Sequence, residues 1–201
     1  MVSELYHNAK GLYNITSINN LVSIFTVGIL SKNMLSSSVQ YVEISNANVQ
    51  LRRDGVSFWD ETQLQDYANL YFNPRNAMMY SIKHRINDIC VLKIDKSVLN
   101  LENIIIADRN ASVSGVCFFP PNQAIRELNF DIINLSSWNF DDPIKKMRIK
   151  ALMMAEVLVY ECIQPCYITE VLVGNRIAYD KVLSLNLPVP VKIDRRIFFN
   201  E

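Results

Sequence analysis

One carboxylate, one pair of arginines, one aromatic stretch and one basic run are the parts of this sequence with chemical reach. Glu156 opens the alternating run Glu156–Cys162, EVLVYEC, the pattern of a half-buried strand. On pattern alone it reads as an exposed carboxylate at a strand end. Held at the mouth of a cleft instead, it could stabilise positive charge developing on a reacting sugar. Arg52 and Arg53 are adjacent, so in a strand they face opposite ways and in a helix they diverge. At most one of them reaches a given ligand oxygen, where a guanidinium suits bidentate recognition of phosphate. The bland reading is two solvated surface arginines.

Residues 66–80, DYANLYFNPRNAMMY, hold three tyrosines, a Phe, three asparagines, an Arg and two Met. Rings interleaved with amides can stack on a base or a nicotinamide and hydrogen-bond its edge. A core segment followed by a turn would look partly similar, but the turn Asn73–Asn76 favours a site. Lys145, Lys146, Arg148 and Lys150 form the one dense basic run, with Trp138 and Phe140 just before it. Charge runs usually cover solvated faces. Beside aromatics they also make a single-strand platform, with stacking contributing roughly 1–3 kcal/mol per base.

Composition removes several rivals. Lys+Arg and Asp+Glu both number 20, so any polyanion must be met by local patches rather than by overall charge. Two histidines, His7 and His84, argue against His-rich metal sites and most His-driven acid–base chemistry. The five glycines are too far apart for GxGxxG or a P-loop. Cys90, Cys117, Cys162 and Cys166 lack zinc-finger spacing and read as free buried thiols in a reducing compartment. No metal is expected. The start, MVSELYHNAKG, has no basic-then-apolar leader pattern. The longest apolar runs fall far short of the ~18 residues that span a bilayer. A soluble, cytoplasmic protein with no membrane partner is expected.

The elements that must position these residues follow from periodicity. Alternation over Gly11–Thr16 predicts a strand. Ile18, Leu21, Val22 and Phe25 recur at helical spacing, with Ser17 as N-cap and Gly28 as the stop. Residues 31–46, with the run Ser36–Ser38, read as a long surface loop. Val49–Arg53 begins a short helix or strand, and Thr62–Tyr71 is open between helix and strand. Asn76–His84 reads as a helix. Asp88–Ile94, Asn103–Ala107, Ser114–Phe119, Glu156–Cys162 and Ile168–Val173 read as strands, and Pro143–Leu152 as a loop leading into a helix or strand edge. Strands clustered after an early helix predict an α+β fold rather than alternating βαβ units. No composition shift divides the chain, so residues 1–201 read as a single domain.

Taken together, several segments resemble one family, the DarT-type DNA ADP-ribosyltransferase toxins. They are Leu12-Tyr13-Asn14-Ile15-Thr16 with Asn20-Leu21 and Gly28; Val49-Gln50-Leu51-Arg52-Arg53; Asp66-Tyr67 through Tyr80; Asp108-Arg109-Asn110-Ala111; and Ala155–Tyr160. They occur in the family's order and span most of the chain. The resemblance implies an ADP-ribosyltransferase-like split β-sheet with flanking helices, NAD as co-substrate, and transfer of ADP-ribose to a base in single-stranded DNA. By position it assigns Asn14, Ile15, Thr16, Ser23, Ser31, Arg53 and Tyr71 to NAD, with Tyr71 and the Asn73–Asn76 turn near nicotinamide. Arg53 and Glu156 are assigned to catalysis, and the 138–155 stretch to a loop presenting the target base. Arg75, Trp138, Lys145, Lys146, Arg148 and Lys150 would meet the nucleic acid.

The family commonly has His where this chain has Asn14 and Gln65, and a glycine-rich segment where it has Phe58-Trp59-Asp60. Asn keeps a donor and an acceptor but cannot titrate. Protein-directed transferases of this fold carry Glu or Gln two residues before the catalytic Glu; here that residue is Met154, which favours a nucleic-acid target. The family also implies an antitoxin partner. Three alternatives stay open: the same chemistry on RNA, an NAD glycohydrolase, and a non-catalytic nucleic-acid- or partner-binding module.

Overall fold

The computed structural model describes residues 7–35, 39, 41–44, 47–58 and 61–199. The expectations for Ser36–Ser38, for most of the leader and for Trp59 and Asp60 lie outside those residues. The expected strand after Gly11 is β1, Leu12–Ser17, buried along nearly its whole length. Ser17 caps a 3-10 turn, Ile18–Asn20, by accepting from the Asn19 N–H. Helix α1, Leu21–Val27, follows and stops at Gly28. Gly28 has φ of +94°, open to glycine and costly for other residues. A Cβ there would sit 2.6 Å from both Cys162 Sγ and the Ile163 carbonyl oxygen. That closeness lets β2, Ile29–Leu30, pair with β8, Cys162–Ile163, in a small second sheet.

The larger sheet has eight strands. Beside β1 it holds β3, Tyr67–Tyr71; β4, Ile89–Ile94; β5, Ile104–Ala107; β6, Phe118–Phe119; β7, Glu156–Tyr160; β9, Ile168–Val173; and β10, Val191–Ile193. Their order is β10-β9-β4-β1-β3-β7-β5-β6. β1 pairs with β4 over six positions but with β3 only at Tyr13↔Tyr71. The sheet therefore opens between β1 and β3 and leaves backbone edges free on both sides. β9 and β10 are parallel, which requires a crossover; helix α7, Arg176–Leu183, supplies it, capped by Asn175.

Several expectations change. Val49–Arg53 lies in a helix, α2, Ala47–Arg53. Thr62–Tyr71 divides into a 3-10 turn, Leu64–Asp66, and strand β3. The expected helix after Asn76 is short: α3, Ala77–Ser81, then a 3-10 turn over Lys83–Arg85. Ser114–Phe119 contributes only β6. Helices α4, Pro121–Glu127, and α5, Phe130–Ile133, are too short to stand out by period. Pro143–Leu152 is a helix throughout, α6, and not a loop. Pro143 is suited to the first turn, and Asp142 caps it through the Ile144 and Lys145 N–H groups. Of the four cysteines, all free, only Cys90 is buried.

The main core lies on one face of the sheet, where Leu12, Leu70, Leu92, Val157 and Val171 pack against α1, α4, α5 and α7. On the other face Ile15, Tyr71, Met79, Val91, Met154 and Phe198 form a smaller core. No described helix is long and apolar enough to cross a membrane.

Candidate active site

The opening between β1 and β3 leads into a cavity of about 710 Å³, within the roughly 300–1,000 Å³ of small-molecule sites. Asn14, Ile15 and Thr16 line it from β1, and Ala68, Asn69 and Tyr71 from β3. Asn14 Nδ2 donates to the Asn69 carbonyl at 3.1 Å, which bridges the opening where backbone pairing has ended. Ser23 contributes from α1, and Tyr41, Glu43 and Ile44 from the segment facing it.

Arg53 lines this cavity, and its guanidinium bonds Glu156, 103 residues away in sequence, which lies buried behind it and is not itself among the lining residues. Arg53 Nη1 lies 3.3 Å from Glu156 Oε2. Arg53 ends α2 and is 8% exposed; Glu156 opens β7 and is 0% exposed. Both bland readings, a solvated arginine and an exposed strand-end carboxylate, are therefore corrected. Glu156 is buried because its strand is sandwiched: it is in register with Tyr71 of β3 on one side and Ala107 of β5 on the other. Arg52 is exposed and also lines the cavity, but the helix turns it away from Glu156. The Gln65 side-chain amide hydrogen-bonds Asp54 and so fixes the end of α2 that carries Arg53.

Burial pushes the Glu156 carboxyl above its ordinary range, and the Arg53 guanidinium, with the Ala111 N–H, pulls it back toward ionisation. Glu156 Oε1 has no hydrogen-bond partner among the described residues. A buried acceptor without a partner is costly. Burial also raises the Tyr71 phenol, with the Glu156 charge adding to it, so Tyr71 stays a neutral hydroxyl. Electrostatically the site is one buried carboxylate half-balanced by one guanidinium: it favours a positive centre and can accept a proton.

The other expected residues divide. Ser31 is buried, its N–H donating to the Glu161 carbonyl and its Oγ accepting from Met34; the cavity is reached by its neighbours Leu30 and Lys32. Asn73 and Asn76 are also buried away from it. Asn73 Nδ2 donates to the carbonyls of Ile133 and Leu135, and Asn76 caps α3. The Asn73–Asn76 turn therefore holds the fold and does not line the cavity, contrary to expectation. Arg75 is spent as well: its guanidinium donates to carbonyls of Ser136, Arg196 and Phe198 and lies 4.0 Å from the Phe199 ring centroid.

The 138–155 stretch is largely helix α6 rather than a presenting loop. Met147, Lys150, Ala151 and Met154 turn toward the cavity, while Lys145, Lys146 and Arg148 are exposed outside it. Trp138 packs edge-on to Tyr80 and tilted against Phe199, with Lys150 Nζ 5.9 Å from its centroid. The resemblance implies that the loop from Ser31 through Arg53 closes over NAD, and Tyr41 and Glu43 of that loop line the cavity, though neither is named singly; Arg109 and Asn110 in the cavity wall were not expected there. Arg109 sits in a family-like segment, which is a signal; Tyr41 and Glu43 lie in irregular chain with no pattern to mark them. Among the described residues no group of three or more His, Cys, Asp or Glu is arranged to hold a metal ion.

Comparison with known proteins identifies the family and the fold. Residues 13–199 match the family model described as DarT, single-stranded-DNA thymidine ADP-ribosyltransferase. A Thermosipho africanus DNA ADP-ribosyl transferase–DNA ADP-ribosyl glycohydrolase fusion protein is 27% identical over 97% of this chain, and the chain spans only 51% of that protein. A DNA ADP-ribosyl transferase from a Thermus species is 26% identical, with 92% of this chain and 90% of that one covered. Among solved structures, the Thermosipho africanus protein in complex with ADP-ribose superposes with a TM-score of 0.81 at 28% identity, over 94% of this chain and 51% of that one. The Thermus protein in complex with ADP-ribosylated single-stranded DNA gives a TM-score of 0.81 at 23% identity, over 95% and 97% of the two chains, a likeness of fold.

Proposed function

We propose, on the premise that the chain belongs to the DarT family of single-stranded-DNA thymidine ADP-ribosyltransferases, that it transfers ADP-ribose from NAD to a thymine base in single-stranded DNA. The single observation that carries this is the buried Arg53–Glu156 pair, whose arginine lines the cavity between the separating strands.

The residues fit NAD. The cavity is large enough, it is walled by residues of β1 and β3 where the two strands separate, and Glu156 Oε1, behind Arg53, has no partner among the described residues. When bound, NAD supplies a ribose carbon that becomes electrophilic as nicotinamide departs with the electron pair of the bond. Asn14, Thr16 and Tyr71 supply neutral polar groups where β1 and β3 separate, suited to holding the nicotinamide amide. Arg53 provides a guanidinium for the diphosphate and pulls Glu156 toward ionisation against its burial. Glu156 lowers the energy of positive charge on the ribose. It also accepts the imide proton of thymine as the new bond to the base forms. A neutral Tyr71 beside it adds a donor and no competing charge.

For the strand itself, Trp138, Lys145, Lys146, Arg148 and Lys150 lie on or beside α6, next to the cavity, and supply cations and one ring. Arg75 has its donors engaged by backbone and is left out of this set. DNA is favoured over RNA because the family is described by its DNA substrate. The fusion of transferase and glycohydrolase in the Thermosipho relative supports a toxin role here, with a partner that removes the modification. A single transferase domain over 1–201, acting in the cytoplasm where NAD and single-stranded DNA coexist, completes the reading.

The test is to incubate the chain with NAD and DNA or RNA oligonucleotides of matched sequence and weigh the products. A gain of one ADP-ribose on thymine-containing DNA is expected. Free ADP-ribose without modified oligonucleotide would make it a glycohydrolase, and a gain on RNA alone would reassign the substrate.

A further inference from the structure

Asn20 is 1% exposed, and no step above uses it. It stands at the N-cap position of α1, a place where Asn commonly bonds the first helical N–H groups. Here it makes no such bond. Its amide is turned outward instead. Nδ2 donates to the Val42 carbonyl at 3.0 Å and to Thr16 Oγ1 at 3.1 Å, and Oδ1 accepts from the Val42 N–H at 2.6 Å. One side chain thus satisfies both backbone groups of Val42, as a neighbouring strand would, and no other backbone pairing of Val42 is present among the described residues.

The residues on either end of that clamp face the cavity. Thr16 lines it from β1; Tyr41, Glu43 and Ile44 line it from the opposite segment. The Glu43 carboxylate accepts from the Ile44 N–H at 3.0 Å and lies 3.6 Å from Lys32 Nζ. Burial, and then the neighbouring Glu43, hold the Tyr41 phenol protonated. This wall is irregular chain, with no ladder of its own to hold it. Its distance from β1 is set where Asn20 grips Val42.

We propose that Asn20 is a positioning residue for the dinucleotide: it pins the Tyr41–Ile44 wall against β1 and so presets the cavity before ligand arrives. This rests on the reading of the cavity as the NAD site. A preset wall avoids an ordering penalty on binding and touches none of the reacting atoms, so its loss should weaken binding and spare the chemistry.

The test uses the full chain, its Asn20→Ala variant and its Asn20→Asp variant, which keeps an acceptor for the Val42 N–H and loses the two donors. Binding of carba-NAD+ is measured by calorimetry, and KM for NAD and kcat by oligonucleotide mass. Asn20→Ala should raise the Kd and KM about tenfold, the effect of leaving a buried backbone group unpaired, with kcat at saturating NAD within about threefold. Asn20→Asp should weaken binding in the same direction. An unchanged Kd, or a fall in kcat alone, overturns the proposal while the NAD reading stands. If the wild-type chain binds no carba-NAD+, the NAD reading fails and the proposal with it. Should the variants not fold, hydrogen exchange of the wild-type Val42 amide decides: protection of about 100-fold or more is expected, and exchange at the unstructured rate overturns the proposal.

Discussion

Glu156 sits in an unusual place for a carboxylate. Desolvation raises its proton affinity and Arg53 offsets part of that rise, so the pair must be treated as one unit. Glu156→Gln keeps the shape and removes the charge. Transfer to thymine-containing DNA should fall by roughly 10²–10⁴, while carba-NAD+ affinity changes little; an unaltered rate would remove the glutamate from the chemistry. The pH profile carries a second expectation. The proposed mechanism requires ionised Glu156, so kcat should rise with pH along a limb whose midpoint lies above the 4.5 of an ordinary glutamate. Arg53→Gln should move that limb further up, and a limb that moves down would refute the coupling. The same shift has a stability sign. A carboxyl whose folded pKa is raised contributes stability that is full below its unfolded pKa and is lost as pH rises through the folded one. Glu156→Gln should therefore remove that acid-side gain, seen as a flatter Tm against pH.

At the scale of elements, two joints govern the cavity. The first is Gly28, where α1 ends and the small β2–β8 sheet begins. Gly28→Ala would force a side chain into positive φ and into Cys162 and Ile163. A loss of about 2 kcal/mol or more is expected, read as a lower midpoint in urea; full stability would mean the turn is freer than it looks. The second is α6, which divides its residues between cavity and solvent. Replacing Lys145, Lys146 and Arg148 by Ala together should leave carba-NAD+ binding unchanged. It should lower the salt dependence of DNA binding by about 2 in log–log slope. An unchanged slope would make the basic run a solvated face.

Across the whole molecule, the chain end is tied back over the smaller core. Arg75 donates to carbonyls on both sides of that tie and stacks on Phe199, which packs in turn on Tyr80 and Trp138. Arg75→Ala should cost roughly 1–3 kcal/mol, mostly from unpaired carbonyls, and should speed proteolysis within residues 194–199. Transfer at saturating substrates should persist. A variant that keeps its stability and loses DNA binding would return Arg75 to the substrate.

What the sequence determined by itself was local or motif-like. Alternation placed β1, β4 and β7, a compact apolar run placed β5, capping chemistry placed the start and stop around α1, and ordered family-like segments pointed to Arg53 and Glu156. What it could not determine was burial and convergence. A glutamate at the head of an alternating run looks the same whether its strand is at an edge or between two others; only the β3-β7-β5 order makes it buried. Asn73, Arg75 and Asn76 share the composition of a binding turn, yet long-range partners of Asn73 at Ile133 and Leu135 and of Arg75 at Ser136, Arg196 and Phe198, with the local cap that Asn76 makes on α3, turn them into scaffolding. Asn20, Tyr41 and Glu43 carry no periodic signal because the contacts that matter are between side chains and irregular backbone, and those exist only once the sheet has opened between β1 and β3.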